Sequence, residues 1–366
     1  MKRLLPLGVS LLLTALPLSA QTFVEPEADV QFHTAIVNNE FDASSEVLAK
    51  SLTIATVRFA PYVGLRFGEG HHLKVGVNVC QDFGTPGSAL SAQMAAWYQM
   101  DRKVFTLAAG IYPRTLMKGR YSTAILSDKV RFYNALMQGL LLQWHKGASH
   151  YELALDWNGK KGEGRREQFY VMSYGHGAVN NWFSINWEGM FHHYASSDEV
   201  QGVVDDILVH PYLCADFGAP AGFQRLALEA GAMVGYQNNR IAGDLRIPVG
   251  ADVVVEARKW NVGLKNEAYY GGSQAPFFRE ADAAGERYGA NLYLRNSQWQ
   301  ITPDGSAGFY DKADLYWAPR VGKAVTLRLC LSAHFGYGGF LGHQEIVEAI
   351  VNLDQLRRKR PHEAAE

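Results

Sequence analysis

Cysteine is scarce: three in 366 residues, at Cys80, Cys214 and Cys330. An odd count in distant segments cannot fully pair, which sets aside a disulfide-built scaffold. Net charge is equally thin, with 35 Lys and Arg against 36 Asp and Glu leaving −1. A near-neutral chain has no field to steer nucleic acid, so that class of partner is excluded. Past the first twenty residues, no apolar run approaches the roughly 18 residues of a membrane helix. If the mature chain meets a membrane, it does so through strands.

What is present begins with the leader. Met1-Lys2-Arg3 is basic, Leu4 to Leu18 is apolar, and Ser19-Ala20 supply small residues before Gln21. That order reads as a secretory signal peptide over residues 1–20. No cysteine follows the cut, so the bacterial lipid-anchor signal is missing. The other end, 355–366, is a basic tail built on Arg357, Arg358, Lys359 and Arg360.

Between these ends one pattern recurs. Val325, Leu327, Leu329, Leu331, Ala333 and Phe335 alternate with Thr326, Arg328, Ser332 and His334. A period of two gives a strand with one oily and one wet face. Similar segments fall near 29–40, 53–67, 72–81, 91–100, 103–110, 131–144, 149–157, 167–175, 182–193, 207–217, 224–235, 250–259, 261–270, 311–319, 324–335 and 344–353. Connections between them alternate short and long. The short ones include 68–71, 101–102, 146–148 and 321–323; the long ones include 111–130, 158–166, 194–206, 271–310 and 336–343. So many amphipathic strands without helices to cover them imply a closed sheet, which leaves no edge and satisfies every backbone group. The expected fold is all-β: an antiparallel transmembrane β-barrel of about 16 strands over residues 21–354. Gly289 to Arg295 and Gln298 to Thr302 would raise the count to 18 if they form an added hairpin.

The leader, the strand count and the loop rhythm together resemble the porin-type outer-membrane β-barrels of Gram-negative bacteria. The resemblance implies secretion, insertion into the outer membrane, tight periplasmic turns and long extracellular loops. It implies contact with outer-membrane lipid and lipopolysaccharide, and assembly as a homo-oligomer is compatible with it. The function it implies is passive diffusion of small hydrophilic solutes, anions included, with no cofactor and no enzymatic activity. One departure is the tail after the last strand, where such barrels usually end on an aromatic residue.

In porins the third external loop commonly folds into the lumen. By that resemblance Arg114, Lys118, Arg120, Asp128, Lys129 and Arg131 form a constriction that favours anions. The other reading of the same residues is a solvated basic loop that meets lipopolysaccharide phosphates. Alternation places Lys74, Glu152, Asp156, Glu188, Glu229, Glu256, Arg258, Lys265, Glu267, Lys312, Asp314 and Arg328 on the wet face, as the lining of a pore. A lining of both signs suits a general hydrophilic pore rather than a steep ion filter.

Enzyme and metal signals are weak. Asp156, Asn158, Lys160 and Glu167 mimic a calcium loop, but lysines occupy a ligand place and the glycine place. His71-His72 and His192-His193 are adjacent and so point to opposite faces of a strand, which does not suit zinc. The alternatives to a channel are a barrel hydrolase acting on lipid or peptide at the outer surface, or a non-conducting platform. His192, His193, Ser196 and Asp198 are the residues from which a rim hydrolase would be assembled.

Overall fold

The computed structural model describes residues 24–41, 51–302 and 306–353. The expected signal peptide and basic tail lie outside the described residues. The strands are β1 (Val24–Phe41), β2 (Leu52–Phe67), β3 (His71–Asp82), β4 (Ser91–Arg102), β5 (Phe105–Pro113) and β6 (Leu136–Lys146). They continue with β7 (Ser149–Gly159), β8 (Gln168–Ala178), β9 (Phe183–Tyr194), β10 (Val204–Asp216), β11 (Arg225–Asn239) and β12 (Asp244–Arg246). The last are β13 (Val249–Lys259), β14 (Val262–Gly271), β15 (Gly308–Trp317), β16 (Arg320–Val321), β17 (Val325–Gly336) and β18 (Gly339–Asn352). β12 and β16 are short additions to the edges of β11 and β17. The other sixteen pair antiparallel with their chain neighbours, and β1 pairs with both β2 and β18, which closes the ring. The fold is a closed 16-strand antiparallel barrel.

Alternation decides which way each side chain looks. In β13, Ala251, Val253 and Val255 are exposed on the outside while Asp252 and Val254 are buried within. In β17, Leu329 and Leu331 face out, whereas Cys330, Ser332 and His334 are buried. The outer wall is thus a belt of Val, Leu, Ile and aromatic side chains, the face a lipid solvent accepts. Among the described residues no helix is long and apolar enough to cross a membrane.

Three sequence expectations shift. Residues 131–133, the start of the expected strand 131–144, belong instead to helix α1 (Asp128–Tyr133). The Ser127 hydroxyl accepts the Val130 N–H at 3.1 Å and caps the helix, a local bond that outcompetes strand pairing. The optional hairpin at 289–302 is instead a turn of α-helix (Gly289–Leu292) and a 3₁₀ turn (Ser297–Gln300), so the ring keeps sixteen strands. The expected long connection at 336–343 is a tight hairpin in which Gly336 pairs Gly339.

The barrel is filled. Residues 114–135 and 272–302 turn inward from the loop end and pack against the inner wall. Ala124, Ile125, Leu126, Leu294, Trp299 and Ile301 from these two loops join Tyr62, Trp97, Tyr112, Met137, Leu141, Tyr170, Met172, Tyr269 and Tyr310 from the strands in one buried cluster. Where the loops meet the wall the interior is packed like a core, with cavities left toward the two ends.

Candidate functional site

The two inward loops are tied to the wall by carboxylates. Glu152 accepts the Lys118 N–H at 2.6 Å, the Tyr121 hydroxyl at 3.0 Å and the Gln143 amide at 2.7 Å. Gly119 also donates to it, and a Cβ there would lie 2.9 Å from Glu152 Oε1 and 2.8 Å from Tyr174 Cβ, so only glycine lets the loop sit this close. Asp156 takes Arg114 at 3.1 Å. Glu188 accepts the Ser122 N–H at 2.6 Å and contacts His210, which lies 2.8 Å from Asp252 on its other side. Arg58 donates to the Phe132 carbonyl at 2.7 Å and lies over its ring, holding α1 to β2. The second loop is anchored by Arg295, whose guanidinium pairs with Asp206 at 2.5 Å with both side chains fully buried. The loops also lock to each other: Ser127 N–H donates to Leu294 O at 2.6 Å, and Trp299 Nε1 donates to Thr123 Oγ1 at 3.1 Å.

Several of the remaining residues expected to line a pore meet an opposite charge instead. Lys74 meets Asp29 and Glu27. Arg225, which the alternation argument passed over, gathers Asp216, Glu229 and Glu256. Lys265 meets Glu267, and Lys312 meets Asp314, each at 3.5 Å. Arg258 donates to the Ala318 carbonyl at 2.9 Å, and Arg328 lines a small inner cavity of about 260 Å³. The six residues grouped as a constriction do not form one ring. Arg114 is paired at the wall, and Arg131 donates to the Tyr121 carbonyl within its own loop. Asp128 and Lys129 stand toward the loop end, whereas Lys118 and Arg120 reach the turn end.

A cavity of about 1180 Å³ opens among the long loops. Its cations are Lys129, Arg165, Arg166, Arg279, Arg287 and Arg295, against Asp128 and Glu286. Among the described residues, Lys129, Arg165 and Arg287 have no carboxylate partner. Tyr170, Tyr194, Phe278 and Tyr293 supply ring faces. This vestibule suits a polyanion that also carries sugar or acyl surface. Arg166 bridges from it to Asp282 and lies 4.8 Å over the Tyr194 ring. Burial alone would raise the Asp282 carboxyl, but the Glu286 and Ala284 N–H groups and Arg166 together hold it below the usual range.

Over the same rim, on the outer wall, lies a second arrangement. Tyr194 looks inward and its neighbour His193 outward. The His193 Nδ1–H donates to Asp205 Oδ1 at 2.8 Å, and Arg240 grips the other Asp205 oxygen at 2.6 Å. Asp205 is buried, and His193 stacks on Phe169, which stacks in turn on Trp157. An ionisable pair on the outer wall of a membrane barrel, among interfacial aromatics, is a functional candidate by default. His343 and Glu345 make another such pair at 2.8 Å, but both are about two-fifths exposed. Of the rim residues the sequence suggested for a hydrolase, His193 meets Asp205 rather than Asp198, whose N–H donates to the Gly162 carbonyl. Two residues at opposite ends of separate strands carry no common sequence signal, so periodicity alone misses the pair. His192 points inward and donates to the Leu292 carbonyl at 2.7 Å.

Comparison with known proteins adds two findings. Residues 27–203 match the family model described as lipid A 3′-O-deacylase-type. No curated protein matches the sequence. Among solved structures, a loop-deletion mutant of OmpT, an outer membrane protein of Vibrio cholerae, is similar at 7% identity and TM-score 0.55, over 90% of this chain and 99% of that one. An anion-selective porin from Comamonas acidovorans is similar at 10% identity and TM-score 0.50, over 90% and 100%. These structures share the closed antiparallel β-barrel fold of this chain. The expectation of a non-enzymatic chain is corrected by the family match, whose description is that of an acyl-ester hydrolase. Composition and alternation report the barrel and are silent about chemistry on its rim, which is why that expectation failed.

Proposed function

We propose that the protein is an outer-membrane barrel hydrolase that removes an ester-linked acyl chain from an anionic glycolipid of the lipid A class. The match of residues 27–203 to the deacylase-type model carries this reading. Two features of the molecule support it. The packed interior counts against free diffusion as the main task, and the basic vestibule offers places for sugar phosphates. The glycolipid would lean its headgroup into the vestibule over the β8–β9–β10 rim, leaving an acyl ester at the interface beside His193.

There the chemistry is ordinary. Asp205 takes the Nδ1–H of His193 and leaves Nε2 as the proton acceptor. Water, losing a proton to Nε2, attacks the ester carbonyl; that proton then passes to the departing sugar oxygen. The products are a free fatty acid and a glycolipid with one hydroxyl restored. Purified protein incubated with lipid A in detergent micelles should release one acyl chain, read by mass spectrometry. His193→Gln should lower the rate by about 10²-fold or more. An inert wild type would overturn the reading, and an unimpaired H193Q would remove His193 from it.

A further inference from the structure

At the turn end, opposite the vestibule, the inward loop and the wall enclose a second cavity of about 490 Å³. We infer that this cavity is a binding site for a small phosphorylated molecule entering from the side of the short turns.

The argument starts with how the loop is pinned. Glu152 holds the backbone N–H groups of Lys118 and Gly119, and in doing so fixes the two flanking cations, Lys118 and Arg120, on the cavity wall. Among the described residues neither cation meets a carboxylate. Lys74, Arg114, Arg225, Arg295 and Lys312, by comparison, each meet a carboxylate. Both side chains are exposed to the water of the cavity, and two like charges on either side of Gly119 draw an anion between them.

The other walls suit an oxyanion. His145 and His150 lie with their Nδ1 atoms 3.0 Å apart and their rings stacked, beside Lys118. Ser149 and Tyr174 bring hydroxyls, and the cavity reaches the β6–β7 turn at Gly147 and Ala148. Glu229, the acid on the lining, is already held by Arg225. The volume is that of a small-molecule pocket rather than a lipid groove. Because the same loop closes the lumen, an anion seated here would tighten it from below. The site does not rest on the hydrolase reading, since it lies at the other end of the barrel and uses none of its residues.

The test is calorimetric titration of the full-length protein in detergent at low salt, with inorganic phosphate and with glycerol 3-phosphate as probes. Saturable binding is expected, weakened at least tenfold in K118Q/R120Q and by A148W, which narrows the mouth while keeping every charge. R165Q/R287Q should remove only whatever binding the outer vestibule adds, leaving the affinity of the turn-end site as in wild type. Heat-modifiable migration confirms that each variant is a folded barrel, and A148W stands if the double variant is not. No saturable heat, or affinity that falls only with R165Q/R287Q, overturns the inference.

Discussion

At the scale of single residues, charge in this barrel serves placement first. Asp282 shows the rule in a loop. Its carboxyl is held below its usual range because Arg166 and two backbone N–H groups outweigh burial. A depressed carboxyl contributes stability above its unfolded value, near pH 3.9, and that contribution disappears as pH falls through its folded value. Segment 277–293 should therefore resist hydrogen exchange at pH 6 and lose that resistance below about pH 4, once intrinsic rates are corrected. Asp282→Asn should show the weakened protection already at pH 6. If exchange in D282N matches wild type at both values, the carboxylate does not hold the loop. None of this was legible in the sequence, because Arg166 and Asp282 are brought together only by closure of the ring.

At the scale of elements, the sequence spoke clearly where period two was strong and faintly where loops folded back. All sixteen long strands were legible because each must turn one face to lipid, and that demand writes itself into every second residue. Helix α1 was not, since Val130, Arg131 and Phe132 run into the alternating segment that follows and only the Ser127 cap marks a helix start. The connection 271–310 reads from its sequence as a long external loop. Its true address is set by Arg295 and Asp206, a pair with no exposed surface. Removing one partner of such a pair strands a buried charge. R295L should cost about 3–5 kcal/mol in urea-induced unfolding from detergent, and D206L/R295L should recover part of it. A single variant as stable as wild type would mean the pair does not anchor the loop.

At the scale of the whole molecule, the question is whether sixteen strands imply a conduit. Strand number sets a ring wide enough for water, but what occupies the ring is decided by the loops. Here Tyr121, Ile125, Leu126, Trp299 and Ile301 join the wall aromatics in one apolar cluster, and the charged lining is spent on pairs and on loop anchors. A water-filled path through such a cluster would need apolar contacts to part. In planar bilayers the wild type should give only small or rare conductance steps. Replacing residues 115–133 with a short Gly-Ser linker removes Tyr121, Ile125, Leu126 and α1 together, and it frees Glu152 and Glu188 to face water. Stepwise conductance should then rise several-fold, with a preference for cations because the unmasked anchors are acidic. Wild-type steps as large as those of the linker variant would show that the loops do not close the barrel, and the vestibule would then be the mouth of a pore.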